Sequence, residues 1–276
     1  MISRTAVPER QWQMQTSDMV QAKVAVKCLF NSLDARFRDA TSIHTGIAML
    51  DRTGGLHAGE IMVLAGHPGV GKTSLAISVA RHAAMHDAAV LSVSLAETTV
   101  QTAERFVLQE SGVRPLPLRT GTLQRQDMTA LTYAAAAVSK WRLQIEDTAA
   151  LTAATIRECA RRWRESEPAD HALIVVDYLQ LLADDCDTAA VLSSLLGTAK
   201  ETRSALLLVS QHLADARERA TVQSIATAVV YLCADIHTHE IVLAKHRYCQ
   251  TPQTEQVVFD GSTFASVPPA EAETGT

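Results

Sequence analysis

Short apolar runs separated by stretches of helical period organise this chain. Residues 61–66 (IMVLAG), 89–95 (AVLSVSL), 143–147 (LQIED), 172–177 (ALIVVD) and 205–210 (ALLLVS) are of strand length and nearly continuous in hydrophobicity, which predicts strands buried on both faces. Helical stretches lie between them, around 72–86, 99–111, 127–141, 152–165 and 187–203. The alternation predicts βαβ units and hence an α/β fold, a mostly parallel sheet with helices on both faces. Later runs at 229–233, 241–247 and 255–259 read as strands joined by tight turns, an antiparallel extension. Ahead of the core, Met19, Ala22, Val26, Leu29, Leu33 and Phe37 recur every three or four positions, which predicts a helix over about 17–37 with one apolar face. That face can pack on its own domain or on a neighbouring subunit. The expected organisation is an N-terminal extension and helix over 1–40, an α/β domain over 41–265 and a Pro-rich, acidic, disordered tail over 266–276.

Composition narrows the function classes. The chain has 276 residues, 47% hydrophobic and 20% charged, with a net charge of −5, and its mean hydropathy is +0.05. Aromatic residues make up only 4%, so the core must be built from Ala, Val, Leu and Ile. The acidic balance argues against a generally basic, nucleic-acid-coating surface, although a few basic residues lining a ring would not register in the total. Five scattered cysteines without a CxxC pair point to a reduced, cytoplasmic chain. His237 and His239 could share a strand face, but no further metal ligand accompanies them. No secretory leader and no run long enough to span a membrane is expected.

The chemistry concentrates in GHPGVGKT, residues 66–73, which matches G-x-x-x-x-G-K-[ST] throughout. Gly66, His67, Pro68, Gly69, Val70 and Gly71 would wrap backbone N–H groups around phosphates, with Ser74 continuing into the helix. Lys72 would supply a cation to the β- and γ-phosphates of ATP, and the Thr73 hydroxyl a ligand to Mg²⁺. The string follows a predicted buried strand and opens a predicted helix, as such a loop requires. Asp177, ending the strand ALIVVD, is placed to hold the Mg²⁺ shell. Glu97, just past AVLSVSL, is the best-placed residue to orient an attacking water. Gln211, at the end of ALLLVSQ, can sense the γ-phosphate. The two-residue period of IVLAKHR puts Ile241, Leu243, Lys245 and Arg247 on one face, with its two cations at the strand end.

Together these motifs resemble the RecA-like motor domain of the DnaB family of replicative DNA helicases, over about residues 17–262. TGIAMLDRTGGLHAGEIMVLAGHPGVGKTSLA is similar to the family's opening, RTGTL (119–123) to a following motif, and DYLQLL (177–182) to its most specific signature. Ser210-Gln211 and the pair Lys245 and Arg247 follow in order. The resemblance implies a RecA-like core, a hexameric ring moving on single-stranded DNA, a helicase loader as a further partner, and Lys245 and Arg247 as residues reaching a neighbour's phosphates. It also likens the 17–37 helix to the family's linker helix. Three departures qualify it. Nothing corresponds to the family's N-terminal helical collar, which argues against primase as a partner. The family's Ser-Leu-Glu is Ser94-Leu95-Ala96 here, with the glutamate displaced to Glu97, which implies slow hydrolysis unless the backbone bulges. The stretch after Gln211 is shorter than the family's DNA-contacting loop, leaving Arg217 and Arg219 to touch DNA phosphates. The leading expectation is a helicase motor. The alternatives are an ATP-binding relative that regulates or co-assembles with a helicase and hydrolyses poorly, and a recombinase-type filament former, which DYLQLL disfavours.

Overall fold

The computed structural model describes residues 22–24, 26, 27, 30 and 42–266, apart from 149, 150, 183–186, 212, 214, 236, 237 and 262. The chain divides into two units, Met1–Ala40 and Thr41–Thr276. In the first, the described residues are helical, with Val24, Val26 and Phe30 exposed. The tail beyond 266, and with it the expected disorder, lies outside the described residues.

The second unit is built on a nine-stranded sheet in the order β11-β10-β9-β8-β3-β7-β6-β4-β5. Its parallel strands are β3 (Ile61–Gly66), β4 (Ala89–Ser94), β5 (Leu143–Glu146), β6 (Ala172–Asp177), β7 (Ala205–Gln211) and β8 (Ala228–Ala234). The antiparallel side is β9 (His239–His246), β10 (Gln253–Phe259) and β11 (Phe264–Ser266). A separate pair, β1 (Ser42–Ile43) with β2 (Leu56–His57), flanks the short helix α1 (Ala48–Arg52).

The continuous apolar runs become strands because both sheet faces are covered. Along β3, Met62 and Leu64 join one core layer while Ile61, Val63 and Ala65 join the other. The first layer includes Leu75, Ala76, Val79 and Ala80 of α2 (Lys72–Met85) and Phe106 of α3 (Thr99–Ser111). The second includes Ile156 and Trp163 of α6 (Ala153–Ser166) and Leu192 and Leu195 of α7 (Thr188–Glu201). Between α3 and α6 lie α4 (Pro115–Thr120) and α5 (Arg125–Val138), and α8 (Ala216–Ile225) follows β7. The helices begin at side-chain caps where the sequence supplies them: Thr98 accepts from Gln101 N, Thr152 from Thr155 N, Asp187 from Ala190 N and Asp215 from Glu218 N.

Two expectations need correction. LQIED was expected to be buried on both faces, but β5 is the sheet edge, and Leu143 and Ile145 are only half-buried. The stretch 229–233 was assigned to the antiparallel extension. It is instead the hinge strand of the sheet, parallel to β3 on one side and antiparallel to β9 on the other. Periodicity reports burial but not which neighbour a strand pairs with. Phe106 has no exposed surface and meets Trp141 edge-to-face at 6.4 Å. Phe106→Ala should therefore cost about 3–5 kcal/mol of stability, read as a fall in the urea midpoint with an unchanged slope.

Candidate nucleotide site

The carboxyl ends of the central parallel strands meet at one cleft. Gly66 of β3 is in register with Gln211 of β7, and Ser94 of β4 with Asp177 of β6. The segment 66–73 runs from β3 directly into α2. At Gly66 a side chain is excluded by close approach, since a Cβ would lie 2.5 Å from the carbonyl oxygen of Leu232. At Gly71 the backbone itself demands glycine. It caps α2 in the left-handed region at φ 99°, and a Cβ would press on the Phe264 ring at 3.0 Å. Phe264 stacks on Phe259 at 4.4 Å, with His239 set edge-on to both, so an aromatic cluster from β9 to β11 backs the loop. Val70 is buried in the core, while His67, Pro68 and Gly69 face solvent.

A cleft of about 370 Å³ lies over this loop, lined by Pro68, Gly69, Gly71, Lys72, Thr73, Ser74, Arg105, Asp177, Tyr178 and Gln211. The Lys72 ammonium donates to the carbonyl oxygens of Gly66 at 2.9 Å and His67 at 2.8 Å, which holds it over the loop. Burial lowers its pKa, partly offset by the charge of Asp177. Asp177 is the more perturbed group. Burial raises its pKa, the neighbouring Thr73 hydroxyl opposes that rise, and the nearby Glu97 carboxylate adds to it. A partly buried carboxylate beside the Thr73 hydroxyl and the Lys72 ammonium, at a glycine-rich turn, suits a divalent cation and a polyphosphate. Thr73 and Asp177 would hold the ion, and Lys72 and the 66–71 backbone the phosphates.

Glu97 adjoins the cleft, sharing a small cavity with Thr73 and Asp177. Its carboxylate is held by Arg105 of α3 in a two-pronged ion pair, Nε to Oε2 at 2.6 Å and Nη2 to Oε1. Arg105 lines the cleft itself, and the pairing raises its pKa. No sequence signal singled out Arg105, because only the folded α3 carries it back to the end of β4. Gln180, within DYLQLL, has a visible task. Its Nε2 donates to Ser210 Oγ at 2.8 Å and its Oε1 accepts from Gln211 N at 3.0 Å, tying the turn after β6 to the end of β7. The motif string was the signal for it, though its role was not legible.

The remaining predicted site residues do not line this cleft. The expected common face of Ile241, Leu243, Lys245 and Arg247 is broken by an irregularity in the β8–β9 ladder. Leu243 pairs with Val230 but Lys245 with Val229, leaving Ala244 as the extra residue. Ile241 and Leu243 stay in the first core layer, and Lys245 turns to the other face. There its Nζ donates to the carbonyl oxygens of Ala226 and, at 3.2 Å, Thr227. Arg247 is exposed just beyond the strand. Arg217 and Arg219 sit not on a loop but in the first turn of α8, capped by Asp215, and Arg219 Nε donates to Leu213 O at 3.2 Å. His239 packs in the aromatic cluster, and His237 lies outside the described residues. Among the described residues no group of three His, Cys, Asp or Glu side chains could hold a metal, and no helix is long and apolar enough to cross a membrane.

A glycine-rich loop between a central parallel strand and a helix, with a strand-end carboxylate two strands away, defines a P-loop fold of the RecA-like kind. Residues 42–228 match the model of the DnaB-like helicase C terminal domain, and the chain belongs to that family. The replicative DNA helicase DnaB of Leifsonia xyli subsp. xyli (strain CTCB07) is 27% identical over 291 residues, 92% of this chain and 63% of that protein. That of Treponema pallidum (strain Nichols) is 30% identical over 243 residues, 79% of this chain and 55% of that protein. The chain thus spans less than two thirds of these curated relatives. In fold it is similar to a solved ATPase domain, with a TM-score of 0.81 at 21% identity, over 91% of this chain and 100% of that one. It is also similar to a DnaB-like replicative helicase solved in a study of its interactions with primase, with a TM-score of 0.78 at 20% identity, over 91% of this chain and 68% of that one.

The raised pKa of Asp177 has a consequence for stability. The folded value lies above the unfolded one, so the fold favours the protonated form. Stability is lost as pH rises from the ordinary carboxylate range through the raised folded value. Asp177→Asn, which mimics the protonated form, should raise the thermal midpoint of the metal-free protein at neutral pH and flatten that pH dependence.

Proposed function

We propose that this chain is a DnaB-like ring ATPase acting as a helicase motor, coupling ATP hydrolysis to movement on single-stranded DNA. The observation that carries the reading is the convergence of Lys72, Thr73, Asp177 and Gln211 on one cleft, in a family whose curated relatives are named replicative helicases. In this reading Lys72 and the loop amides bind the phosphates of ATP, and Thr73 and Asp177 hold Mg²⁺, which would neutralise charge developing on the phosphates. Gln211, clamped by Gln180, reports the γ-phosphate to the segment beyond β7. Arg247, exposed at the end of β9, reaches the phosphates of the next subunit in a homo-oligomeric, hexameric ring, while Lys245 ties that strand end to the start of β8. Arg217, with Arg219 beside it on α8, meets the DNA backbone, which makes binding salt-sensitive. A loader is a further partner of this assembly.

A second reading has a specific observation behind it. Glu97 stands one residue beyond the position of the family's glutamate, and Arg105 occupies its carboxylate. A chain so arranged could bind ATP, regulate or co-assemble with a helicase, and hydrolyse poorly. ATP turnover with and without single-stranded DNA, beside fork unwinding, separates the two. For a motor, Glu97→Gln should keep ATP bound and cut turnover roughly 10²-fold, the scale of a lost general base, and Ala96→Glu should add little. For a regulator, wild-type turnover sits near background, Glu97→Gln changes nothing and Ala96→Glu raises it.

Shared sites are tested by mixing. Lys72→Ala should weaken ATP binding at least tenfold, about 1.4 kcal/mol, whereas Arg247→Ala should lower turnover with binding nearly intact. Rings mixed from the two variants should regain activity where an intact loop faces an intact Arg247. Absence of rescue in rings shown to be mixed rejects the shared site.

A further inference from the structure

A small cavity lies behind the nucleotide cleft, bounded by α2, β4, β6 and α3. Its polar lining is Thr73, Ser92, Ser94, Glu97, Thr102 and Asp177, and it leaves about 10 Å³ open to the centre of a water molecule, close to the room one water needs. Two polar atoms of this lining are buried without a hydrogen-bond partner: Thr102 Oγ1 and Asp177 Oδ1. Each would carry the penalty of an unsatisfied buried group if nothing else met it.

Thr102 does not line the cleft. Asp177 lines both the cleft and this cavity, and its Oδ1 is buried. Thr102 has an easier option than burial alone. A threonine inside a helix ordinarily turns its hydroxyl back to the carbonyl four residues earlier, and Thr129, Thr132, Thr198 and Thr202 all do so here. Thr102 does not, although its own N–H makes the regular helical bond to Thr98 O at 2.9 Å. Thr102 and Asp177 both line the cavity. A buried hydroxyl and a buried carboxylate oxygen, on residues that line one water-sized space beside the Ser94 Oγ that accepts from Glu97 N at 3.2 Å, form a site for a bridging water.

We propose that Thr102 is a positioning residue for Asp177, acting through a single buried water that accepts from the Thr102 hydroxyl and donates to Asp177 Oδ1. The water fixes the rotation of the carboxylate, so that its other oxygen is presented to Thr73 and to the metal. This inference rests on the reading of Asp177 as the magnesium-holding carboxylate, and adds to it a partner on α3 that the metal does not touch.

The test combines density with binding. A crystal structure of the wild-type protein, refined to a resolution that orders waters, should show one water within hydrogen-bonding distance of both atoms, and the Thr102→Val structure should lack it. By calorimetry with ATP, Thr102→Val should weaken the magnesium-dependent part of the affinity about threefold to tenfold, the scale of one hydrogen bond. Affinity measured without magnesium should be unchanged, and Thr102→Ser should restore the wild-type response. An empty cavity in well-ordered density overturns the proposal, as does a Thr102→Val protein with wild-type magnesium dependence. If the wild type itself shows no magnesium-dependent affinity, the magnesium role of Asp177 falls and this proposal falls with it. A normal wild type beside an unaffected Thr102→Val sinks the proposal alone.

Discussion

The site depends on one constraint: the register of the parallel strands β3, β7, β6 and β4. Because Gly66 lies opposite Gln211 and Ser94 opposite Asp177, every functional strand end finishes at the same edge of the sheet. Strands buried on both faces cannot slip by one residue without turning a whole apolar set to the wrong layer. Gly66, Asp177 and Gln211 are therefore held by core packing that lies well away from the chemistry. The glycine-rich loop then has a single route into α2, bounded by Leu232 on one side and Phe264 on the other.

On that frame the charged groups work against the packing that positions them. Asp177 sits where burial favours its protonated form, and Lys72 where burial favours loss of its proton. The charge of each opposes the shift in the other, and a metal and phosphates would add to what the two share. Such a site is less stable empty than a neutral one would be, a common feature of catalytic centres. Glu97 and Arg105 are a second charged pair beside the first, and their mutual engagement is what separates the two proposed readings.

The antiparallel side has a different task. β9 to β11 carry the aromatic cluster behind Gly71, and the irregularity at Ala244 separates Lys245 from the face of Ile241 and Leu243. One extra residue makes Lys245 a support for the carbonyls ahead of β8 and leaves Arg247 to project. Gln180 does comparable work on the parallel side, since two hydrogen bonds from one amide couple the turn after β6 to Gln211.

The sequence by itself determined the class of fold, the P-loop, Asp177 as the carboxylate at a strand end, and the family. Those are properties of local strings: an apolar run, a glycine pattern and a terminal acid each report their surroundings within a few residues. Tertiary structure alone decided which strand is an edge, as with Leu143 and Ile145, and which pairs with two partners of opposite sense, as with β8. It alone placed Arg105 on Glu97, Thr102 and Asp177 on one cavity, and Arg217 and Arg219 on a helix rather than a loop. These pairings join residues far apart along the chain or separated by a bulge, and no period or motif carries that distance. The two-residue alternation failed at Lys245 for the same reason: a bulge is set by the partner strand, and the partner is not written in the strand itself.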